Sequence, residues 1–180
     1  MEKKYKAITL CGFMFAGKSE AAKIAADETG FALCDIDSCV EEKKGLKIFE
    51  IFEKFGEKEF RRLEREAAAE AINSAAGSLI ISTGGGCPCD VETFDLLQRH
   101  TLMVYLHLEF DEILGRMRQA PLCEIKKRPL AFKLSEIELF ELYKLRLLSY
   151  EKIKRSVYCA GLDAKQTAKK IIEIIAKDFY

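Results

Sequence analysis

Residues 12–20 read Gly-Phe-Met-Phe-Ala-Gly-Lys-Ser-Glu. Gly12, Gly17, Lys18 and Ser19 fit the spacing G-x-x-x-x-G-K-[ST], a loop whose backbone N–H groups surround a polyphosphate. Glycine-rich backbone supplies donors at short range, and the helix that follows adds the positive end of its dipole. In such a loop Lys18 reaches the β- and γ-phosphates and the Ser19 hydroxyl ligates Mg²⁺. An ordinary glycine turn could hold the same residues, but a strand before and a helix after favour the phosphate loop. The pattern leaves Phe13, Met14, Phe15 and Ala16 free. Phe15 is the odd member, a large ring in a loop that should wrap tightly. With positive φ it would cost about 1–2 kcal/mol; with negative φ the ring can turn away. The donors are backbone groups, which Phe retains, so we expect a working loop with the ring packed outward. Glu20 lies in the first helical turn, where the dipole favours an acid, although there it would repel phosphate if it faced the site.

A second set of residues suits an acceptor. Asp35-Ile36-Asp37 sits at the end of a strand-like segment. Alternate residues of an extended chain face the same way, so both carboxylates can point into the crevice above a sheet, where open α/β folds bind ligands. One acid suits metal-bound water and the other an acceptor hydroxyl. A turn with Asp37 or Ser38 as helix cap would use the same residues. Gly84-Gly85-Gly86 exposes bare backbone for close approach, or is merely a flexible turn. Ser82 closes the strand before it. Arg61, Arg116, Arg128 and Arg146 are the basic residues of interest, although arginines on helices most often face solvent.

These groups need a scaffold. Residues 5–11 read as a buried strand, and 31–35, 78–82, 102–108 and 156–160 as further strands, of which 78–82 is fully apolar. Helical segments fall at 18–28, two or three between 37 and 76, then 90–100, 110–118, 135–152 and 164–178. Strands alternating with helices predict βαβ units, a parallel sheet of about five strands and one α/β domain over residues 1–180. Residues 119–133 carry two of the three prolines and read as an exposed, flexible loop.

Composition excludes several classes. Lys plus Arg and Asp plus Glu each number 29, so there is no global basic field for nucleic acid or an anionic membrane. The seven cysteines are scattered and odd in number. Cys87-Pro88-Cys89 lacks zinc-knuckle spacing, so reduced thiols in a cytoplasm are expected. The first residues, MEKKYKA, lead into too short an apolar stretch for a signal peptide or membrane span.

Taken in order, the motifs resemble the shikimate kinase family over nearly the whole chain. They are GFMFAGKS, Asp35-Ile36-Asp37, GEKEFRRLE at 56–64, GGG at 84–86, Arg128-Pro129-Leu130, and LYKLRLLSY at 142–150. The resemblance implies a three-layer αβα fold of nucleoside monophosphate kinase type around a five-stranded parallel sheet. It implies that Asp37 binds the shikimate hydroxyls and takes the proton of the attacking one. Arg61 and Arg146 would clamp the carboxylate, as forked guanidinium groups do well, and Gly85 would offer its N–H between Gly84 and Gly86. Asp35 and Ser82 would hold Mg²⁺ through water and Ser19 directly. Arg128, on a lid at about 119–133, would close over the phosphoryl group of ATP. Arg116 would stack on adenine, and helices at about 37–64 would bind the substrate. The chain departs from the family's usual G-x-x-G-x-G-K-S-T at Phe15 and Glu20. A monomer acting on a small molecule, without nucleic acid or membrane, is the expected state. A kinase for another small polyol acid such as gluconate, or a nucleotide-binding module without turnover, would use many of the same residues.

Overall fold

β-Branched and apolar runs stopped by glycine or by a polar cap form the sheet, and amphipathic runs between them form its covering helices. The computed structural model describes residues 5–126 and 128–179. Residues 1–4, where the expected charged N-terminal stretch begins, and Lys127, in the expected lid, lie outside them. The strands are β1 (Ala7–Cys11), β2 (Ala32–Asp35), β3 (Leu79–Ser82), β4 (Thr101–His107) and β5 (Arg155–Tyr158). They pair in parallel in the order β2-β3-β1-β4-β5. Every residue of β1 is buried, as are those of β3. That is why these strands read as continuous apolar runs: helices cover both faces of a parallel sheet.

The helices are α1 (Lys18–Thr29), α2 (Ile36–Lys44), α3 (Ile48–Ser74), α4 (Val91–His100), α5 (Phe110–Gln119), α6 (Leu122–Lys126), α7 (Pro129–Lys133), α8 (Glu136–Tyr150) and α9 (Ala164–Asp178). Their ends carry legible signals. Gly30 and Gly45 close α1 and α2 in the left-handed conformation, φ 71° and 64°. Asp90 caps α4, and capping boxes open α8 and α9 with Ser135/Glu138 and Asp163/Gln166. Gly56, at φ 77° and ψ 173°, breaks α3 into two helical pieces. The stretch between Asp37 and Ala76 therefore holds three helical segments, within the two or three expected.

Residues 119–133 differ from expectation. They form α6 and α7 rather than an irregular loop. Proline ends a helix from within but suits its first turn, where no N–H is needed. Pro129 opens α7, and the Pro121 carbonyl accepts from the Glu124 and Ile125 N–H groups at the start of α6.

From β1 the chain moves to one side of the sheet and later crosses to β4 on the other. The reversal leaves a crevice at the carboxyl end of β1, the usual ligand position in open α/β sheets. Gly12 makes the turn there at φ 152°, and a Cβ on it would lie 2.7 Å from the Leu106 carbonyl oxygen. That oxygen is β4 backbone and cannot swing aside. Gly12→Ala is expected to cost about 2 kcal/mol and to lower Tm by about 4–8 °C in a chain of this size. An unchanged thermal unfolding curve would show that the loop and β4 separate freely.

Candidate active site

A cleft of about 650 Å³ opens at this reversal, lined by the phosphate loop, α2, α3, the triglycine segment, Arg116, the α6–α7 segment and Arg146. The loop following β1 is anchored on both sides. Phe13 is buried edge-on against Tyr143, with ring centroids 5.5 Å apart, and Ala16 is buried too. Lys18 Nζ donates to the carbonyls of Gly12 and Phe13 at 2.8 and 2.9 Å. Burial lowers its pKa to about 8, against the opposing pull of Asp37. Met14, Phe15, Gly17, Ser19 and Glu20 line the cleft.

Phe15 has φ 62°, so the strained alternative holds, at about 1–2 kcal/mol. Nor does the ring leave the cleft as expected: the Arg128 guanidinium lies over it, 4.6 Å from the centroid. Arg116 has a role that the sequence reading missed. It donates to the carbonyls of Phe15, Cys159 and Leu162 at 3.2, 3.0 and 3.4 Å. Five N–H donors on one planar group make it suited to a place where three carbonyls converge, and it ties the phosphate loop to the turn after β5.

Ser19, Asp35 and Ser82 come together through strand register. β2 and β3 pair Asp35 with Ser82, and Ser19 Oγ donates to Asp35 Oδ2 at 3.2 Å while lying 3.4 Å from Ser82 Oγ. Asp35 also caps α2 by accepting from the Ser38 N–H. The cap reading and the site reading thus meet in one carboxylate, which is neither Asp37 nor Ser38. The set is all oxygen, with a single carboxylate. It fits Mg²⁺, which keeps several waters and relies on substrate phosphates. No group of three or more His, Cys, Asp or Glu suited to a metal occurs among the described residues.

Asp37 reaches the cleft by a different route from the one expected. The strand ends at Asp35, so Asp37 lies in the first turn of α2 rather than on an extended segment. Its Oδ1 is covered and has no hydrogen-bond partner among the described residues, and Glu64 Oε1 is in the same state. Burial lifts Asp37 to about pKa 6, with Asp35 adding to it and Lys18 and Arg61 opposing. Burial likewise lifts Glu64 to about 7 against the pull of Arg61. Arg61 pairs with Glu64 and Glu57 at 2.5 and 2.8 Å.

The triglycine segment packs against all of these. A Cβ at Gly84 would stand 2.7 Å from Asp37 Oδ1 and 2.9 Å from Glu64 Oε1. One at Gly85 would stand 3.1 Å from an Arg146 nitrogen, and one at Gly86 would collide with the Arg61 guanidinium. Arg146 is 7% exposed and lies over the Phe13 ring at 5.5 Å. Tyr150, fully buried, donates its hydroxyl to the Gly85 carbonyl at 2.5 Å.

Glu64 and Tyr150 were given no role in the sequence reading, though both carried a signal. Glu64 is a charge among Phe60, Leu63, Ala67 and Ala68, the buried stripe of α3, and lies three residues from Arg61 on the same face. Tyr150 stands four residues beyond Arg146 on α8 and shares its buried face.

The raised carboxyl pKa values fix the sign of a pH effect. Asp37 binds its proton more tightly folded than unfolded, so its contribution to stability is greatest in acid. That contribution is lost as pH rises through the window from about 4 to 6. Asp37→Asn should therefore raise Tm at pH 8, by about 2–4 °C if roughly 1 kcal/mol is recovered, and leave it unchanged near pH 4. Equal shifts at both pH values would mean that Asp37 is not strained by burial.

Comparison with known proteins bears on the family and the fold. The family model described as shikimate kinase matches residues 14–176. A shikimate kinase of Staphylococcus aureus (strain JH9) is 40% identical over 146 residues, covering 81% of this chain and 79% of its own. One from Sulfurihydrogenibium sp. (strain YO3AOP1) is 36% identical over 125 residues, 69% and 74% of the two chains. Among solved structures, shikimate kinase from Acinetobacter baumannii in complex with shikimate superposes with a TM-score of 0.85 at 29% identity. The match spans 97% of this chain and 95% of that one. The parallel sheet and its helices are accordingly the P-loop kinase fold that the motifs implied. Likeness this complete, in sequence and in three dimensions, makes the chain a member of the shikimate kinase family.

Proposed function

We propose that the chain transfers the γ-phosphoryl group of ATP to the 3-hydroxyl of shikimate, giving shikimate 3-phosphate and ADP. The observation that carries this reading is that a phosphate loop and a pocket with two arginines and an acid share one cleft. The acceptor end suits a small polyol acid. Arg61 and Arg146 flank the triglycine segment and hold the carboxylate, with the Gly85 N–H between them. Asp37 orients the reacting hydroxyl. Its pKa of about 6 lets it stand ionised near neutral pH and still accept a proton as the new P–O bond forms.

The donor end is built on Lys18, the loop amides and Arg128. Phosphoryl transfer asks little covalent chemistry of a protein, so positioning and charge neutralisation do most of the work. Lys18 leaves the Gly12 and Phe13 carbonyls for phosphate oxygens, and Arg128 closes from the lid. Ser19, Asp35 and Ser82 would hold Mg²⁺, which would supply further charge neutralisation when bound. Arg116 offers its guanidinium plane to adenine while its N–H groups hold the loop. Glu20, on the exposed first turn of α1, stays out of the phosphate cradle. The chain works as a monomeric unit in the cytoplasm on small molecules, without nucleic acid or membrane. A net charge of zero is in keeping with that, and no helix among the described residues is long and apolar enough to cross a membrane.

ADP release measured with shikimate, with gluconate and with no acceptor tests the activity. Turnover only with shikimate is expected; gluconate turnover would move the acceptor, and none at all would leave a nucleotide-binding module. Arg146→Ala should remove a charge-assisted contact of about 1.5–3 kcal/mol and weaken shikimate binding at least about tenfold, with ATP binding near the parent value. Arg61→Ala should do the same, but it also strands Glu64, so Arg61→Lys belongs beside it. Shikimate affinity untouched in all three would end the clamp assignment. Asp37→Asn should lower turnover by about a hundredfold or more while the protein stays folded. Near-parent turnover would reduce Asp37 to a structural residue.

A further inference from the structure

Phe15 is the residue that the reading above leaves without a task. Its backbone sits at φ 62°, where glycine is at ease and a bulky side chain is not. The ring is not simply tolerated there. It stands under the Arg128 guanidinium, 4.6 Å from centroid to carbon, well inside the range of a cation–π contact. The same guanidinium is held from above by its own segment, through the Glu124 carbonyl at 2.8 Å and the Glu124 carboxylate at 3.3 Å.

This contact spans two separate parts of the chain. Arg128 caps α7 in the expected lid, and Phe15 belongs to the phosphate loop. Charge makes the arrangement unfavourable without help. Lys18 and Arg128 are both cations, and both line this cleft. Two cations in one cleft repel each other as long as no anion lies between them. The electron-rich face of an aromatic ring offsets that repulsion for Arg128, with Glu124 adding to it.

Resting on the kinase reading, we infer that Phe15 is a positioning residue for Arg128. Its ring holds the lid guanidinium at the phosphate end of the cleft in the nucleotide-free protein and couples α6–α7 to the phosphate loop. Arg128 then passes from ring to phosphoryl group over a short distance, rather than being recruited from solvent by a mobile segment.

Amide exchange of Arg128, Phe132 and Leu134 in nucleotide-free protein reads the contact directly, since their N–H groups bond to Ile125, Arg128 and Leu130 carbonyls within this segment. Phe15→Leu removes the π face. Phe15→Asn does so with a side chain that accepts positive φ, and serves if the Leu variant fails to fold. Phe15→Tyr keeps the ring. Exchange should quicken about two- to fivefold in the Leu and Asn variants and match the parent in the Tyr variant. In an Arg128→Gln background the Leu and Asn changes should have no further effect. In ADP-release kinetics, kcat should fall by the same factor with the shikimate KM unchanged. Identical exchange in the parent, Leu and Asn proteins, or equal quickening with and without Arg128, would overturn the inference. The exchange pattern without any shikimate turnover would preserve the contact and defeat the kinase reading instead.

Discussion

Asp37 and Glu64 each bury an oxygen that no donor among the described residues satisfies. The proposed acceptor end of the cleft is arranged around that constraint. A carboxylate removed from water must be opposed by positive charge or take up a proton. Arg61 opposes Glu64 directly, while Lys18 and Arg61 pull on Asp37 and Arg146 on Glu64. The opposition is incomplete, and both carboxyls stay above their ordinary range. Such a cluster is poor structural glue, because desolvation offsets much of what pairing returns. It is a good preparation for chemistry, because its polar atoms are already stripped of water and aimed at one space. The buried central strands and the helices that cover them hold it in place.

The fold was legible because its signals are local. Runs such as SLIIS and LMVYLHL, short and rich in β-branched and apolar residues, read as strands, and glycines or capping boxes mark several helix ends. The phosphate loop was legible because a motif marks it. The grouping of Ser19, Asp35 and Ser82 was implied by the family resemblance alone, and parallel register brings the three together in the structure. What escaped depended on sequence-distant partners or on dihedral angles. Arg116 was expected to stack on adenine, and its hold on the turn after β5 shows only once the fold brings two carbonyls to it. Residues 119–133 were read through proline as a breaker, when Pro129 was a starter. The φ of Phe15 is set by the loop closing on itself, which composition cannot reveal.

The two ends of the cleft differ in how they are made rigid. The acceptor end is fixed by charge and by backbone contact. Tyr150 grips the Gly85 carbonyl, and the triglycine segment lies against Asp37, Glu64, Arg146 and Arg61. The donor end is fixed on its outer side by Arg116 and on its inner side by buried Phe13 and Ala16. Across it, the α6–α7 segment is less enclosed, with Leu122 and Phe132 each more than half exposed. A cleft with one packed wall and one lightly held wall suits a reaction that must admit two substrates and then exclude water.

The three glycines also constrain how this sequence can change. Each is hemmed in by a different neighbour: Gly84 by the two acids, Gly85 by Arg146, Gly86 by Arg61. A side chain at 86 becomes possible only after Arg61 has moved or shortened, and one at 84 only after both Asp37 and Glu64 have. Residues in direct contact do not vary independently, so these positions are epistatic with the side chains proposed to hold the acceptor. A route by single substitutions to a different acceptor therefore begins at the charged residues, and the backbone of the segment can follow but not lead.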